Sequence, residues 1–133
     1  MPNLPENYKS PNLFPSCCRA LITDTPLNIY GDCVRDYVYV VDLARFHILL
    51  INQGFDNLII NFGTGIGTKT SEFIDLFENV NHVILCKKLH LARDSDKPVC
   101  VANVLKFKKL YPNFQFTEKS KWFVGFGLNT SKC

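Results

Sequence analysis

The chain has 133 residues, of which 47% are hydrophobic and 13% aromatic, and its formal net charge is +3. This length suits one domain or part of one, and the aromatic content favours a packed globule over a disordered tail. The charge is mild and forms no concentrated basic stripe, so we expect no nucleic-acid partner, although an anionic ligand is permitted.

The first predicted element is a helix that follows an irregular segment. Residues 1–10 are rich in Pro and Asn and are expected to be irregular. Asn12 can cap a helix over residues 13–23, which Thr25-Pro26 would end. Residues 27–30 are then predicted to form a short strand that closes in a Gly-Asp turn.

The next pair of predicted elements is a strand and a helix. Residues 36–41 read as a strand, and Asp42 is placed to cap the helix that follows. Gly54 is the expected C-cap of this helix. Its inner face is predicted to carry Leu43, Phe46 and Leu50.

The second half of the chain continues the alternation of strands and helices. Residues 57–62 are predicted as a strand whose apolar centre has the pattern of one buried on both faces. A strand over residues 82–86 and a helix over residues 103–110 follow later. Between them, a helix is indicated by the apolar spacing of Phe73, Ile74, Phe77 and Val80.

This interleaving predicts an α/β fold. Only about four short strands are recognisable, and no first βαβ unit of a dinucleotide-binding fold is visible. One folded unit is therefore expected over residues 11–118. Residues 119–133 show no clear periodicity and are expected to form a loosely ordered tail.

A glycine-rich segment, residues 63–67, invites comparison with phosphate-binding loops. The dinucleotide fingerprint spaces its glycines G-x-G-x-x-G, and here the third glycine comes one residue early. Amides in such a turn could face an anion, but a plain turn into a helix is the preferred interpretation. No cofactor-binding residue is therefore predicted in this chain.

Two arginines with nearby carboxylates are the better candidates for ligand contacts. Arg35 stands beside Asp36, and Arg93 lies three residues before Asp96. Guanidinium groups bind two oxygens of a diphosphate in a planar fork, and a carboxylate can accept from ribose hydroxyls. From these residues alone, however, a surface ion pair is the preferred interpretation of each pair, and a ligand contact is the alternative.

No catalytic or metal-binding centre is predicted, because no nucleophile motif or metal-ligand spacing is present. The cysteine spacing matches no zinc or redox motif, which favours reduced thiols in a cytoplasmic protein. The apolar runs are too short to cross a bilayer, so no membrane contact is expected. The cysteines in question are Cys17, Cys18, Cys33, Cys86, Cys100 and Cys133.

Five blocks in a fixed order carry a resemblance to a known family. They are Pro-Asn-Leu-Phe-Pro at 11–15, Leu-Asn-Ile-Tyr-Gly at 27–31, an Arg-Asp-Tyr segment within 34–48, Asn-Phe-Gly-Thr-Gly at 61–65, and an Arg-x-x-Asp segment within 93–103. Together they resemble the C-terminal, substrate-binding part of the NAD-dependent nucleotide-sugar epimerases and dehydratases, which are extended short-chain dehydrogenases/reductases. The pattern is most similar to that of the UDP-glucose 4-epimerases. The resemblance implies a partial fold of this type, mainly its smaller substrate-binding part, without the N-terminal Rossmann βαβ unit.

The resemblance implies a UDP-sugar as the ligand. Arg35 and Arg93 would hold the diphosphate, and Asp96 would take the ribose hydroxyls. Ser95 and Asn103 depart from the family pattern, which has Gly and Asp at these positions. The other implied contacts are Asn12 and Leu13 on the diphosphate or sugar side, and Asn28, Ile29 and Tyr30 against the uracil.

The family's reaction needs NAD and a tyrosine that is assisted by a lysine four residues further on. No tyrosine of this chain has a lysine at that spacing. The resemblance therefore implies a portion of a 4-epimerase-like protein that is inactive alone, with NAD bound only in the complete family. Two alternatives are the same portion of a related dehydratase or decarboxylase, and a non-enzymatic remnant that binds a full-length paralogue. A homo-oligomer is also possible.

Overall fold

A computed structural model describes residues 12–54 and 57–123. The predicted irregular segment 1–10 and residues 124–133 of the predicted tail lie outside the described residues. The helices are α1 Leu13–Thr23, α2 Val40–Gln53, α3 Thr70–Asn81 and α4 Leu105–Leu110, and Lys119–Lys121 form a 3-10 turn. The strands are β1 Leu27–Tyr30, β2 Val34–Arg35, β3 Thr68–Lys69, β4 Lys87–His90 and β5 Val99–Cys100.

The strands form two small sheets. In the first, β1 pairs in parallel with β4. In the second, β2 lies between β3, which is antiparallel to it, and β5, which is parallel. Parallel pairs need long crossover connections, and here helices supply part of them. The predicted α/β class is confirmed.

The main core lies between α1, α3 and one face of β1. Phe77 is fully buried at its centre, where Phe14 meets it edge-on at 6.1 Å. Trp122 and Phe123 close this core and are only 8% and 4% exposed. The described beginning of the predicted tail is therefore packed against the domain.

A second core is built around a cluster of aromatic rings. Phe46 of α2 stacks on Phe62 at 4.7 Å and meets Phe107 of α4 edge-on at 5.1 Å. Phe114 and Phe116 complete the cluster. Offset and edge-to-face arrangements of this kind add to the free energy gained by burial alone.

Several predicted elements have the predicted bounds. The first helix and first strand coincide with α1 and β1. Asn12 occupies the N-cap position of α1, where its carbonyl oxygen accepts hydrogen bonds from Ser16 N at 3.1 Å and Ser16 Oγ at 2.7 Å. The predicted third helix is α3, and the predicted fourth helix begins two residues late, as α4.

The strand predicted over residues 36–41 is wrong. β2 ends at Arg35, and α2 already includes residues 40 and 41. Asp42 therefore lies in the first turn of α2 and does not cap it. Its fully buried carboxylate accepts from Thr117 N at 2.9 Å and from Arg45 at 3.0 Å, so a distant segment determines its role.

The face predicted for α2 is correct in part. Phe46 is buried and Leu50 packs against the second core, whereas Leu43 is 38% exposed. Gly54 is the C-cap, as predicted, with φ at +71°. Asp42 occupies the inner face in addition to the apolar residues.

Two further predicted strands are also wrong. The described residues 57–62 contain no strand, and Ile59 is 86% exposed where burial on both faces was expected. The strand predicted over 82–86 is found at Lys87–His90. The Glu78 carboxylate holds the intervening turn, because it accepts from Leu85 N at 2.7 Å, so strand pairing begins only beyond it.

Candidate functional site

A cleft of about 1100 Å³ opens beside α1 and β1 and extends to the loop that follows β4. This volume suits a ligand of nucleotide size. The cleft is lined by every substrate-binding residue predicted from the sequence, namely Asn12, Leu13, Asn28, Ile29, Tyr30, Arg35, Arg93 and Asp96. The eight predicted residues are spread over positions 12 to 96 in the sequence, and the fold brings them together on one concave surface.

Strand alternation determines which residues of β1 face the cleft. Leu27 and Ile29 point into the main core and are 2% and 9% exposed, whereas Asn28 and Tyr30 are exposed. Ile29 nevertheless belongs to the lining. One wall of the cleft is therefore polar and aromatic, with an apolar layer directly behind it.

Two planar side chains, those of Arg93 and His90, pack against the ring of Tyr30. The guanidinium of Arg93 lies 4.7 Å from the centroid of the Tyr30 ring. The imidazole of His90 stacks on the same ring at 4.8 Å with an interplanar angle of 17°. A cation over an aromatic ring is attracted by its negative face, which fixes the orientation of Arg93.

Arg93 and Asp96 form a bidentate ion pair. Arg93 Nε donates to one carboxylate oxygen of Asp96 at 2.9 Å, and its terminal nitrogen donates to the other at 3.2 Å. The hydrogen bond to Asp96 raises the pKa of Arg93, and the same bond lowers the pKa of Asp96. Both groups therefore stay charged around neutral pH, and the remaining guanidinium donors are available to a ligand.

Arg35 is held by main-chain oxygens and not by a carboxylate. Its terminal nitrogen donates to the carbonyl of Lys97 at 2.7 Å and to that of Val34 at 2.9 Å. The neighbouring Asp36 binds elsewhere, as described below. Arg93 and Asp96 therefore form the surface ion pair that the sequence allowed, whereas Arg35 and Asp36 do not pair with each other.

The Asp36 carboxylate organises the glycine-rich turn 63–67. It accepts from Thr64 N at 3.1 Å and from Gly65 N at 2.9 Å. A side chain on Gly63 would place its Cβ 2.7 Å from this carboxylate, so the close approach requires glycine. Because these amides face Asp36, the turn does not fit the pyrophosphate of a dinucleotide.

The loop before Arg35 is anchored on α3. Gly31 has φ at +68°, which glycine adopts readily, and it turns the chain after β1. The Asp32 carboxylate accepts from Ser71 N at 2.9 Å and from Ser71 Oγ at 3.0 Å, which satisfies an otherwise unpaired amide in the first turn of the helix. This anchor positions the strand from which Arg35 projects.

Twelve further residues line the cleft without having been predicted as ligand contacts, and Arg19, Tyr37 and Lys88 have the largest polar side chains among them. Burial raises the pKa of Tyr37, so its phenol stays protonated at neutral pH. Arg19 could have been found from the helical spacing that places it near Asn12, Pro15 and Ser16. The sequence around Lys88 carries no signal for a ligand contact, and only the pairing of β4 with β1 brings it to the cleft.

The part of the chain that the structure describes has neither a metal centre nor a membrane span of the kinds sought. No three His, Cys, Asp or Glu side chains within it are grouped closely enough to hold a metal ion. None of its helices combines the length and apolar character needed to cross a bilayer.

Curated relatives of the chain are UDP-glucose 4-epimerases. The enzyme of Mycoplasma genitalium is 32% identical over 123 residues, which cover 82% of this chain and 36% of the relative. That of Rhizobium leguminosarum bv. trifolii is 32% identical over 100 residues, which cover 69% of this chain and 31% of the relative. The chain thus spans about a third of the length of these relatives. No protein-family model matches it.

Solved structures give the same result. A UDP-glucose 4-epimerase from Stenotrophomonas maltophila, with bound NAD and formylated UDP-arabinopyranose, superposes with a TM-score of 0.77 at 25% identity. The match covers 90% of this chain and 39% of that one. The enzyme of Thermotoga maritima with UDP-glucose has a TM-score of 0.64 at 27% identity, over 74% of this chain and 32% of its own.

Proposed function

Because the chain is a partial homologue of the UDP-glucose 4-epimerases, which are extended short-chain dehydrogenases/reductases, we propose that it is the UDP-sugar-binding portion of such a protein. The observation that carries this proposal is the convergence of all eight predicted contact residues on one cleft. In the complete family the reaction interconverts UDP-glucose and UDP-galactose. This portion alone binds and does not catalyse.

The charged residues support a diphosphate at the centre of the cleft. The guanidinium groups of Arg35 and Arg93 both line it, and neither has all of its donors engaged by the protein. A diphosphate between them would accept hydrogen bonds from both. Asp96, oriented by Arg93, would then accept from the ribose hydroxyls.

We place the nucleobase and the sugar on either side of this diphosphate. Asn28 and the exposed part of Tyr30 offer a polar and an aromatic surface on the wall formed by β1, next to which a uracil ring can pack. Asn12 and Leu13, at the start of α1, contact the diphosphate or sugar. A dehydratase or decarboxylase portion would keep the same diphosphate contacts and differ in its preferred sugar.

We further propose that this portion binds no cofactor and that the protein is located in the cytosol. The amides of the glycine-rich turn are committed to Asp36, which supports the absence of a dinucleotide site in this portion. The described cysteines are all free thiols, which supports a reducing compartment. NAD belongs to the complete family.

Calorimetric titration of UDP into the wild type, Arg35→Ala and Arg93→Ala tests the proposal. Each substitution should weaken binding roughly tenfold or more, because each removes a charge-assisted contact. The affinity of the wild type should also fall as salt is added, since partly exposed charges are screened. Lys109→Ala, an exposed lysine on α4 outside the cleft, is the matched charge control and should bind like the wild type.

Melting temperatures distinguish binding from folding in this experiment. Arg35 also bonds the carbonyl of Lys97, so Arg35→Ala is expected to melt somewhat earlier. Arg93 is exposed, so Arg93→Ala should melt like the wild type. Equal UDP affinities in all four proteins, or no binding by the wild type, would refute the proposal.

A further inference from the structure

The cleft-facing side of the β1–β4 pair carries two residues to which no role has been given. The parallel register places Lys88 opposite Asn28 and His90 opposite Tyr30. Paired residues in a sheet project from the same face. These four side chains therefore form one continuous surface, here called the base wall.

His90 fixes the orientation of Asn28. Its Nε2 lies 3.0 Å from Asn28 Oδ1, and because an amide oxygen can only accept, Nε2 carries the proton and donates it. The oxygen of Asn28 is thereby engaged. The amide nitrogen of Asn28, with its two donors, is left to serve the cleft that Asn28 lines.

Lys88 adds further donors to the same wall. Its neighbour Lys87 is neutralised by Glu78 at 2.7 Å, whereas Lys88 forms no ion pair with any residue in the described part of the chain. An ammonium group donates hydrogen bonds and accepts none. The base wall therefore offers two sets of hydrogen-bond donors next to the ring of Tyr30. They are the ammonium group of Lys88 and the amide nitrogen of Asn28.

Building on the UDP-sugar function proposed above, we propose that Lys88, together with the Asn28–His90 pair, selects nucleobases whose edge presents carbonyl oxygens. Uracil meets this requirement, since O2 and O4 both accept hydrogen bonds. Cytosine presents an amino group in place of O4, and that group would face donors without an acceptor. Lys88 contacts the base directly, and His90 is a positioning residue that acts through Asn28.

Titrations of UDP and CDP into the same proteins isolate this selection, because the two ligands share ribose and diphosphate and differ only in the base. The wild type should bind UDP about tenfold or more tightly than CDP, the range expected for one unmatched charge-assisted hydrogen bond. Lys88→Met should bring the ratio of the two affinities close to one. Lys109→Met, which removes the same charge outside the cleft, should leave the ratio unchanged.

Two substitutions of His90 test its role in positioning Asn28. His90→Phe retains a ring against Tyr30 but removes the donor to Asn28, so it should lower the ratio of UDP to CDP affinity. His90→Gln can still donate to Asn28 and should retain the ratio. If His90 had a purely structural role, His90→Phe would lower the affinities for UDP and CDP by the same factor. That result would overturn this part of the inference.

The outcomes also separate this inference from the proposed function. If the wild type binds UDP but does not prefer it over CDP, the inference is overturned while the UDP-sugar function stands. The same holds if Lys88→Met keeps the wild-type ratio. If the wild type binds neither nucleotide, the proposed function fails and the inference falls with it.

Discussion

Three carboxylates connect segments that are distant in the sequence. Asp32, Asp36 and Asp42 each accept a hydrogen bond from a main-chain amide that lies 39, 29 and 75 residues away, respectively. Hydrogen bonds to a charged acceptor are stronger than neutral ones, and a carboxylate removed from water needs them. These residues therefore hold the segments that they bond in a defined path.

Cys17 is the residue whose ionisation should affect stability most visibly. It is fully buried between α1 and α3, and burial raises its pKa from 9.0 to about 12. The unfolded chain would release the Cys17 proton above about pH 9, whereas the folded chain retains it. The stabilising effect of this proton is therefore complete below pH 9 and is lost as the pH rises towards 12.

We predict that Cys17→Ala depends less steeply on alkaline pH than the wild type does. Urea denaturation between pH 8 and 11 should show an extra loss in the wild type approaching about 1.4 kcal/mol per pH unit above pH 9. Cys86→Ala, at an exposed position, should follow the wild type. Parallel pH profiles for wild type and Cys17→Ala would contradict the prediction.

Among the elements, α2 is unusual because it is apolar on two sides. Phe46 and Leu49 face the second core. On the opposite side, Val40, Ile48 and Ile51 follow each other at helical spacing and are 69%, 57% and 72% exposed. A surface helix normally carries polar residues there, so we expect this exposed apolar stripe to favour association.

We predict that the isolated chain self-associates through this stripe. Ile51→Lys should shift the protein towards monomer, because it introduces a charge into the apolar contact. Sedimentation velocity at several protein concentrations measures the change. Ile84→Lys is the matched control, since Ile84 is 90% exposed but lies outside α2. A wild type that stays monomeric at the highest concentration would contradict the prediction.

At the scale of the whole molecule, the chain corresponds to only part of the length of its relatives. It spans about a third of its curated relatives, and no tyrosine in it is followed by a lysine four residues later. The amides of Thr64 and Gly65 in its glycine-rich turn donate to the Asp36 carboxylate. Hydride transfer needs both a bound nicotinamide cofactor and an acid–base group.

We therefore predict that the purified chain, supplied with NAD and UDP-galactose, forms no UDP-glucose. Chromatographic separation of the two nucleotide sugars after long incubation checks this. The UDP-glucose 4-epimerase of Mycoplasma genitalium, treated identically, is the positive control. Turnover that persists through repurification and disappears in Arg35→Ala would show the prediction to be wrong.

Elements whose signals are local could be predicted from the amino-acid sequence. The bounds of α1 and β1 follow from Asn12, Thr25-Pro26 and Gly31, and α3 follows from the spacing of its phenylalanines. The α/β class was likewise predictable, as were eight of the residues that line the cleft, the latter from the family resemblance. Start, stop and periodicity signals lie within a few residues of the elements they specify.

Features that depend on partners far away in the sequence became evident only from the tertiary structure. Asp42 looks like a helix cap until Thr117, 75 residues away, is seen to bind it. Lys88 looks like solvated surface until the β1–β4 register places it opposite Asn28. Ile59 lies in an apolar stretch of sequence that is typical of a buried strand, yet it is 86% exposed and the described residues 57–62 form no strand. A local pattern records what a residue can bury or bond, whereas the partner that satisfies it is chosen when remote segments pack together.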